Sequence, residues 1–201
     1  MENKSTIMDA DKSTRERIFL SAAQLFAQKG YNGVSMRELA ALSGISKPTI
    51  YYYFGSKEGI YSSLVQTSLS HGETYIKEIF KRPIPAKEKL VCLAKFYFEQ
   101  SIEYPEFVKF LLSLVIVTEK LQFLDVFIKE AIKLKNAIAD LILEGIRLGE
   151  FGASANADLA ADIFMGSITH FLWRQVNSKK RLLSNSLAED MVELLFKGLN
   201  E

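Results

Sequence analysis

An all-α fold follows from three observations on this chain of 201 residues. Only four prolines and eleven glycines punctuate it. Almost every segment between them repeats its apolar residues at helical spacing. No strand-length alternation, hairpin signal or internal repeat interrupts that pattern.

The elements follow in order. Ser13-Thr-Arg-Glu16 reads as a capping box, in which hydroxyl and carboxylate satisfy helix-end amides reciprocally. Ile18, Ala22, Leu25 and Phe26 behind it form one apolar stripe, and Gly30 is placed to end that helix in a left-handed conformation. Ser35-Met-Arg-Glu38 is a second capping box, opening a short helix with Met36, Leu39 and Ala40 facing inward. Ser43-Gly44 stops it, Ile45 plugs the core, and Ser46 caps a third helix that tolerates Pro48 in its first turn. After Gly55, Ser56 caps a long fourth helix running toward Lys81. Pro83 and Pro85 break the chain. Further helices are expected over 86–104, 105–117 and 121–148. The loop "GEFGASANAD" is the clearest linker, and its Asp158 is expected to cap "LAADIFMGSITHFLWRQV". A polar loop over 177–186 and a last helix, "LAEDMVELLFKGL", complete the chain.

The bulk numbers bound the class of protein. The chain is 48% apolar and 24% charged, ordinary for a soluble globular protein. Its longest apolar runs, such as "FLLSLVIV", fall well below the ~18 residues read as a membrane span. The amino terminus lacks the apolar stretch of a secretory signal, and the single cysteine, Cys92, leaves no intrachain disulfide framework. A cytoplasmic protein without a membrane partner is expected. Net charge is only +1. Residues 1–60 carry +2 and the remainder −1, a contrast too small to imply nucleic acid by itself.

The informative stretch is "SGISKPTIYYYFGSKEGIY". Side chains step round a helix by ~100°, so Tyr51, Tyr52, Tyr53 and Phe54 cannot all share one buried stripe. Two short helices, 35–42 and 46–54, joined by a tight turn at Gly44, form a helix-turn-helix pattern whose second helix enters the major groove. Ile50 and Phe54, four apart, anchor that helix. Lys47, Thr49, Tyr51 and Tyr52 lie on its outer part, where DNA would cover the surplus rings. A tyrosine packs its ring on sugar and thymine methyl while its hydroxyl bonds a phosphate. Lys57 and the free amides at the start of the next helix add a phosphate-binding position. Tyr53, about 200° from Tyr51, can instead pack against the first helix.

"SMRELAALSGISKPTIYYYFGSKEGIYSSL" also resembles the DNA-binding segment of TetR-family transcriptional regulators, and "ERIFLSAAQLFAQKGYNGVSM" resembles the family's first helix and the joint after it. The resemblance implies that Ser35 and Arg37 contact phosphate, that Lys47, Pro48, Thr49 and Tyr51 face the bases, and that Tyr52, Tyr53 and Lys57 clamp the backbone. Pro48 stands where many relatives have glycine or alanine, and Tyr53 where histidine is common, so the operator sequence does not follow.

The expected organisation is a flexible tail over 1–11, a helix-turn-helix domain over 12–60 and a helical regulatory and dimerisation domain over 61–201. The last two helices are apolar on more than one face, which implies burial on both sides, one against the chain's own domain and one against a second copy. Met165, Phe171, Leu172, Met191 and Leu195 are the candidate interface residues. A two-fold dimer presents two recognition helices to a palindromic site.

The middle helices are rich in large apolar residues, and the resemblance implies an inducer cavity among them. Spacing alone does not separate cavity lining from filled core. The candidate lining is Phe96, Tyr97, Gln100, Phe110, Leu114, Phe127, Phe164 and Ile168, with Glu103, Tyr104, Thr118 and Thr169 as further polar contacts. Phe107 and Phe123 share the apolar run. Few basic residues interrupt these segments, which points to a hydrophobic or aromatic effector, neutral or cationic.

Neither cofactor nor metal is expected. His71 and His170 both have serine three residues before them, so the Glu-x-x-His pairs of a carboxylate-metal bundle are missing, and no phosphate loop or nucleophile elbow occurs. The function expected is a DNA-binding transcriptional regulator, most simply a repressor released by a small hydrophobic molecule. A regulator without such an inducer and a helical-bundle enzyme are the alternatives.

Overall fold

The computed structural model describes residues 2–116 and 122–197. Among them the chain forms α1 (Glu2–Lys29), α2 (Met36–Ser43), α3 (Lys47–Phe54), α4 (Lys57–Phe80), α5 (Ala86–Glu103), α6 (Pro105–Ile116), α7 (Gln122–Arg147), α8 (Ala157–Val176) and α9 (Asn185–Lys197). Thr118 lies outside the described residues, as do the side chains of His71 and Phe123.

Local chemistry sets most boundaries. Ser35, Ser46 and Ser56 each accept a backbone amide three residues on, and Gly30 and Gly44 close their helices with φ of 66° and 68°, a region that costs glycine little. Three expectations are corrected. α1 begins at Glu2, so residues 2–11 are helix rather than tail, and the Ser13–Glu16 box falls inside it. No glycine or proline before Gly30 interrupts helical propensity. α8 is capped by Asn156, whose Oδ1 accepts from the Leu159 amide at 3.1 Å, leaving Asp158 in the first turn. α9 starts at Asn185 rather than Leu187, because Ser184 Oγ accepts from the Leu187 amide at 3.1 Å.

Two apolar cores result. The amino-terminal one gathers Ile18, Ala22 and Phe26 of α1, Leu39 of α2, Ile50 and Phe54 of α3, and Ile60, Tyr61 and Leu64 of α4. It is completed from the body, by Phe110 and Leu114 of α6 and Leu124 of α7. Tyr61 stands edge-on to both Phe26, at 4.9 Å between centroids, and Phe110, at 5.1 Å. The body core joins Leu90, Leu93 and Phe98 of α5 to Val108 of α6, Ile138 and Ile142 of α7, Phe164 and Ile168 of α8, and Val192 and Phe196 of α9. Each fully buried Phe, Leu or Ile contributes roughly 1.5–3 kcal/mol. α6 therefore serves both cores, with Val108 in one and Phe110 in the other.

The carboxy-terminal end is closed by two devices. Phe151 stacks on Phe196 at 4.0 Å, over the backbone of Gly145. Gln175, 8% exposed, donates to the Lys180 carbonyl and accepts from the amides of Leu182 and Leu183, clasping the α8–α9 loop.

Candidate nucleic-acid interface and interior cavity

The second helix of the motif is held from beneath. Ile50 is fully buried and Phe54 is 8% exposed, while Tyr51 and Tyr52 are 44% and 83% exposed on the opposite side. The turn before it is fixed by Gly44 and by Arg17 of α1, whose Nη2 donates to the Ser43 carbonyl at 2.8 Å. A Cβ at Gly44 would stand 3.0 Å from that same Nη2. The position favours glycine for its backbone angle, and a side chain there would also make the Arg17 guanidinium give way by a few tenths of an ångström.

The structure places the predicted contacts as follows. Arg37, Lys47 and Pro48 are exposed, and neither Arg37 nor Lys47 makes an ion pair among the described residues. Thr49 is half-buried, its hydroxyl sharing a 2.8 Å hydrogen bond with Ser46. Tyr53 is half-buried and meets Tyr52 edge-on at 5.4 Å. Ser35 is exposed, but its hydroxyl donates to Glu38 and accepts the Glu38 amide, so the capping box occupies it. Glu38 in turn accepts from Lys29 at 2.6 Å. That bond, with those from the Ser35 backbone and hydroxyl, holds its carboxyl down at about 2.

Lys57 is placed differently from the expectation. Its ammonium donates to the carbonyls of Tyr31 and Val34 at 2.9 and 3.1 Å and lies 4.4 Å from the centre of the Tyr31 ring. It ties the α1–α2 joint to α4. Sequence reasoning also passed over Arg15, whose guanidinium lies 5.5 Å from the centre of the Phe54 ring at the end of α3. Its only sequence signal was a cation four residues before the aromatic Phe19.

Behind the motif lies a cavity of about 1550 Å³ bounded by α1, α4, α5, α6, α7 and α8. Of the predicted lining, Phe96, Tyr97, Gln100, Leu114, Phe127 and Ile168 surround it, joined by Glu103, Tyr104, Phe107 and Thr169. Phe110 and Phe164 do not; both are fully buried, one in each core. Met165 and Leu172, assigned to the dimer face, instead line the cavity. One helical step separates Phe164 from Met165, and the body core takes the first. Residues missed from sequence include Phe19 and Leu20 of α1 and Ile76 and Phe80 of α4. Both helices have apolar positions off their main stripe, which was the available signal. The charged residues around the space are mixed in sign, and Glu73 pairs with Lys77 and Lys133.

The outer side of α8 and α9 carries Leu159, Ile163 and Trp173, 46–55% exposed, and Leu194 at 75%. Leu159, Ile163, Gly166, His170 and Trp173 recur at helical spacing along one face. Phe171, Met191 and Leu195 are half-buried against the body core. Among the described residues no helix is long and apolar enough to cross a membrane.

Comparison with known proteins bears on this arrangement. The family model described as bacterial regulatory proteins, tetR family, matches residues 18–64, the span from the buried face of α1 to α4. The fatty acid metabolism regulator protein of Bacillus subtilis is 26% identical over 190 residues, covering 92% of this chain and 94% of that protein. The HTH-type transcriptional repressor NicS of Pseudomonas putida is 26% identical over 205 residues, covering 96% and 90%. Among solved structures, the transcriptional regulator FadR from Bacillus subtilis in complex with stearoyl-CoA aligns with a TM-score of 0.70 at 24% identity, over 91% of this chain and 98% of that one.

Proposed function

We propose that this chain, whose residues 18–64 match the tetR family model and which is 26% identical to the Bacillus subtilis fatty acid metabolism regulator, is a TetR-family regulator that acts in the cytoplasm as a ligand-responsive repressor. Two copies pair through α8 and α9, grip a palindromic operator with their α3 helices, and let go when a hydrophobic molecule fills the cavity. On α3, Pro48, Thr49 and Tyr51 meet base edges, while Tyr52 and Tyr53, with Arg37 of α2, follow the phosphates. Lys47, expected at the bases, joins the phosphate set because it stands exposed at the first residue of α3. Ser35 orients the start of α2, and Lys57 acts as a positioning residue. The apolar strip of Leu159, Ile163, Trp173 and Leu194 supports pairing, since a patch of this kind on an isolated chain marks an interaction surface.

The observation that carries the regulatory reading is the double duty of α6. Its residues Phe107, Leu111 and Leu112 line the cavity, while Phe110 and Leu114 of the same helix sit in the core beneath α3. Phe107 also touches Phe19 of α1, with ring centres 5.6 Å apart. A rigid helix in both cores cannot move for a ligand without moving the motif. The ligand shifts the balance between two spacings of the α3 pair only as far as it binds one better than the other.

A cavity of about 1550 Å³ exceeds the roughly 300–1,000 Å³ usual for small-molecule sites. Together with its Phe, Leu and Ile lining, this favours a long-chain acyl compound, the class to which the stearoyl-CoA bound by the Bacillus subtilis protein belongs. The test is fluorescence anisotropy of a selected DNA fragment, titrated with palmitoyl-CoA. Release of DNA as the ligand saturates the protein is expected. Ligand binding with unchanged DNA affinity would refute the coupling.

A further inference from the structure

Two of the hydroxyl groups around the cavity are already satisfied by near neighbours in the chain. Thr169 Oγ1 donates to the Met165 carbonyl at 2.9 Å, and Tyr104, at the mouth, hydrogen-bonds Glu103. Tyr97 and Gln100 differ. They are three residues apart on α5 and so neighbours on one face, and both line the cavity. Neither side chain makes a hydrogen bond among the described residues. Nor is either sealed off, since the one buried side-chain oxygen closed away without a partner among the described residues is Glu106 Oε2. Both residues therefore bring a polar group without a described partner to the cavity wall.

We propose that Tyr97 and Gln100 form a hydrogen-bonding station within the apolar cavity, which selects ligands carrying a carbonyl oxygen along an otherwise apolar body. The proposal rests on the cavity being the effector site and specifies what it recognises. Tyr97 packs edge-on to Phe96 at 5.4 Å, and Phe96 is stacked on Tyr75 at 3.9 Å, so the phenol is held by an aromatic series rather than free to swing. Burial pushes its ionisation up to about 12, so it stays a neutral hydroxyl and a donor. Gln100 offers an amide NH₂ beside it. A hydrocarbon of equal length offers neither group a partner, and a site built with such donors discriminates against the analogue lacking the acceptor.

The experiment uses the full chain and displacement of the fluorescent apolar probe N-phenyl-1-naphthylamine by methyl laurate or by tetradecane, each delivered from cyclodextrin. Wild type is expected to prefer the ester by about tenfold, and Tyr97→Phe to erase that preference by weakening the ester alone. Gln100→Leu, read in the same assay with a melting curve as a folding control, should reduce the preference in the same direction. The station is overturned if wild type binds both probes within twofold, or if both variants keep the preference. If neither compound displaces the probe from wild type, the effector-cavity reading fails and the station with it. Equal binding of both compounds sinks the station only.

Discussion

The Lys57 ammonium, at the first residue of α4, donates to the backbone carbonyl of Tyr31 at 2.9 Å and sits over that residue's own ring at 4.4 Å. A second bond to the Val34 carbonyl at 3.1 Å completes a clasp on the joint between α1 and α2. Two of the three ammonium donors are thus committed within the protein. Lys57→Met should lower unfolding stability by on the order of 1–3 kcal/mol in urea titrations. It should weaken DNA binding while leaving the slope of log K against log salt unchanged. A slope reduced by about 0.9 would restore Lys57 as a phosphate contact.

Lys47 and Tyr51 give the complementary pair. Lys47 is exposed at the start of α3 and forms no ion pair among the described residues. Lys47→Ala should reduce the salt slope by about 0.9 and weaken specific and random DNA alike. Tyr51→Ala should cost on the order of 1–3 kcal/mol, falling mainly on the specific site. Discrimination left intact in Tyr51→Ala would remove it from the base-facing set.

How far these roles could be read in advance depended on distance along the chain. The caps at Ser35, Ser46 and Ser56 and the turn at Gly44 were legible because donor and acceptor lie within a few residues. The clasp of Lys57 was not, since its partner Tyr31 is 26 residues away. Ser13 misled because capping chemistry marks a start only where the preceding chain cannot be helical. In the body, periodicity gave the faces of α6 and α8 but not their neighbours. Phe110 and Leu114 share a face of α6, yet only Leu114 reaches the cavity. Phe164 and Met165 are adjacent, and the packing of α5 and α7 decides which of them is core.

Gly145 should resist substitution. A Cβ there would stand 2.3 Å from Cε2 of Phe151 and 3.1 Å from the Ala86 Cβ, and Phe151 is itself stacked on Phe196 at 4.0 Å. Gly145→Ala is expected to destabilise by about 1–3 kcal/mol through overpacking. Adding Phe151→Leu should recover part of that loss in thermal melts. Additive losses would mean that the ring is not the obstacle.

Glu38 sets a pH dependence. The hydrogen bond from Lys29, followed by those from the Ser35 backbone and hydroxyl, lowers its carboxyl from 4.5 to about 2. A depressed carboxyl stabilises the fold above its unfolded value and loses that contribution as pH falls through the folded one. The stability difference between wild type and Glu38→Gln should therefore be constant near neutrality and shrink from about pH 4.5 toward pH 2. A difference that stays flat across that range would show that the box does not hold in solution.

The apolar strip on α8 and α9 predicts assembly. Ile163→Asp combined with Leu194→Asp places two charges on residues 46% and 75% exposed in the single chain, so folding should survive while pairing fails. Light scattering at micromolar concentration should report a dimer for wild type and a monomer for the double variant. A wild-type monomer would contradict the two-fold arrangement.

The central claim is that the outer face of α3 reads an operator. The most direct measurement is selection of bound fragments from genomic DNA by the purified protein, repeated with Tyr51→Ala and Tyr52→Ala. The account predicts an enriched palindrome for wild type, lost in both variants although they remain folded. Enrichment that survives both substitutions, or none at all from a folded dimer free of ligand, would contradict it.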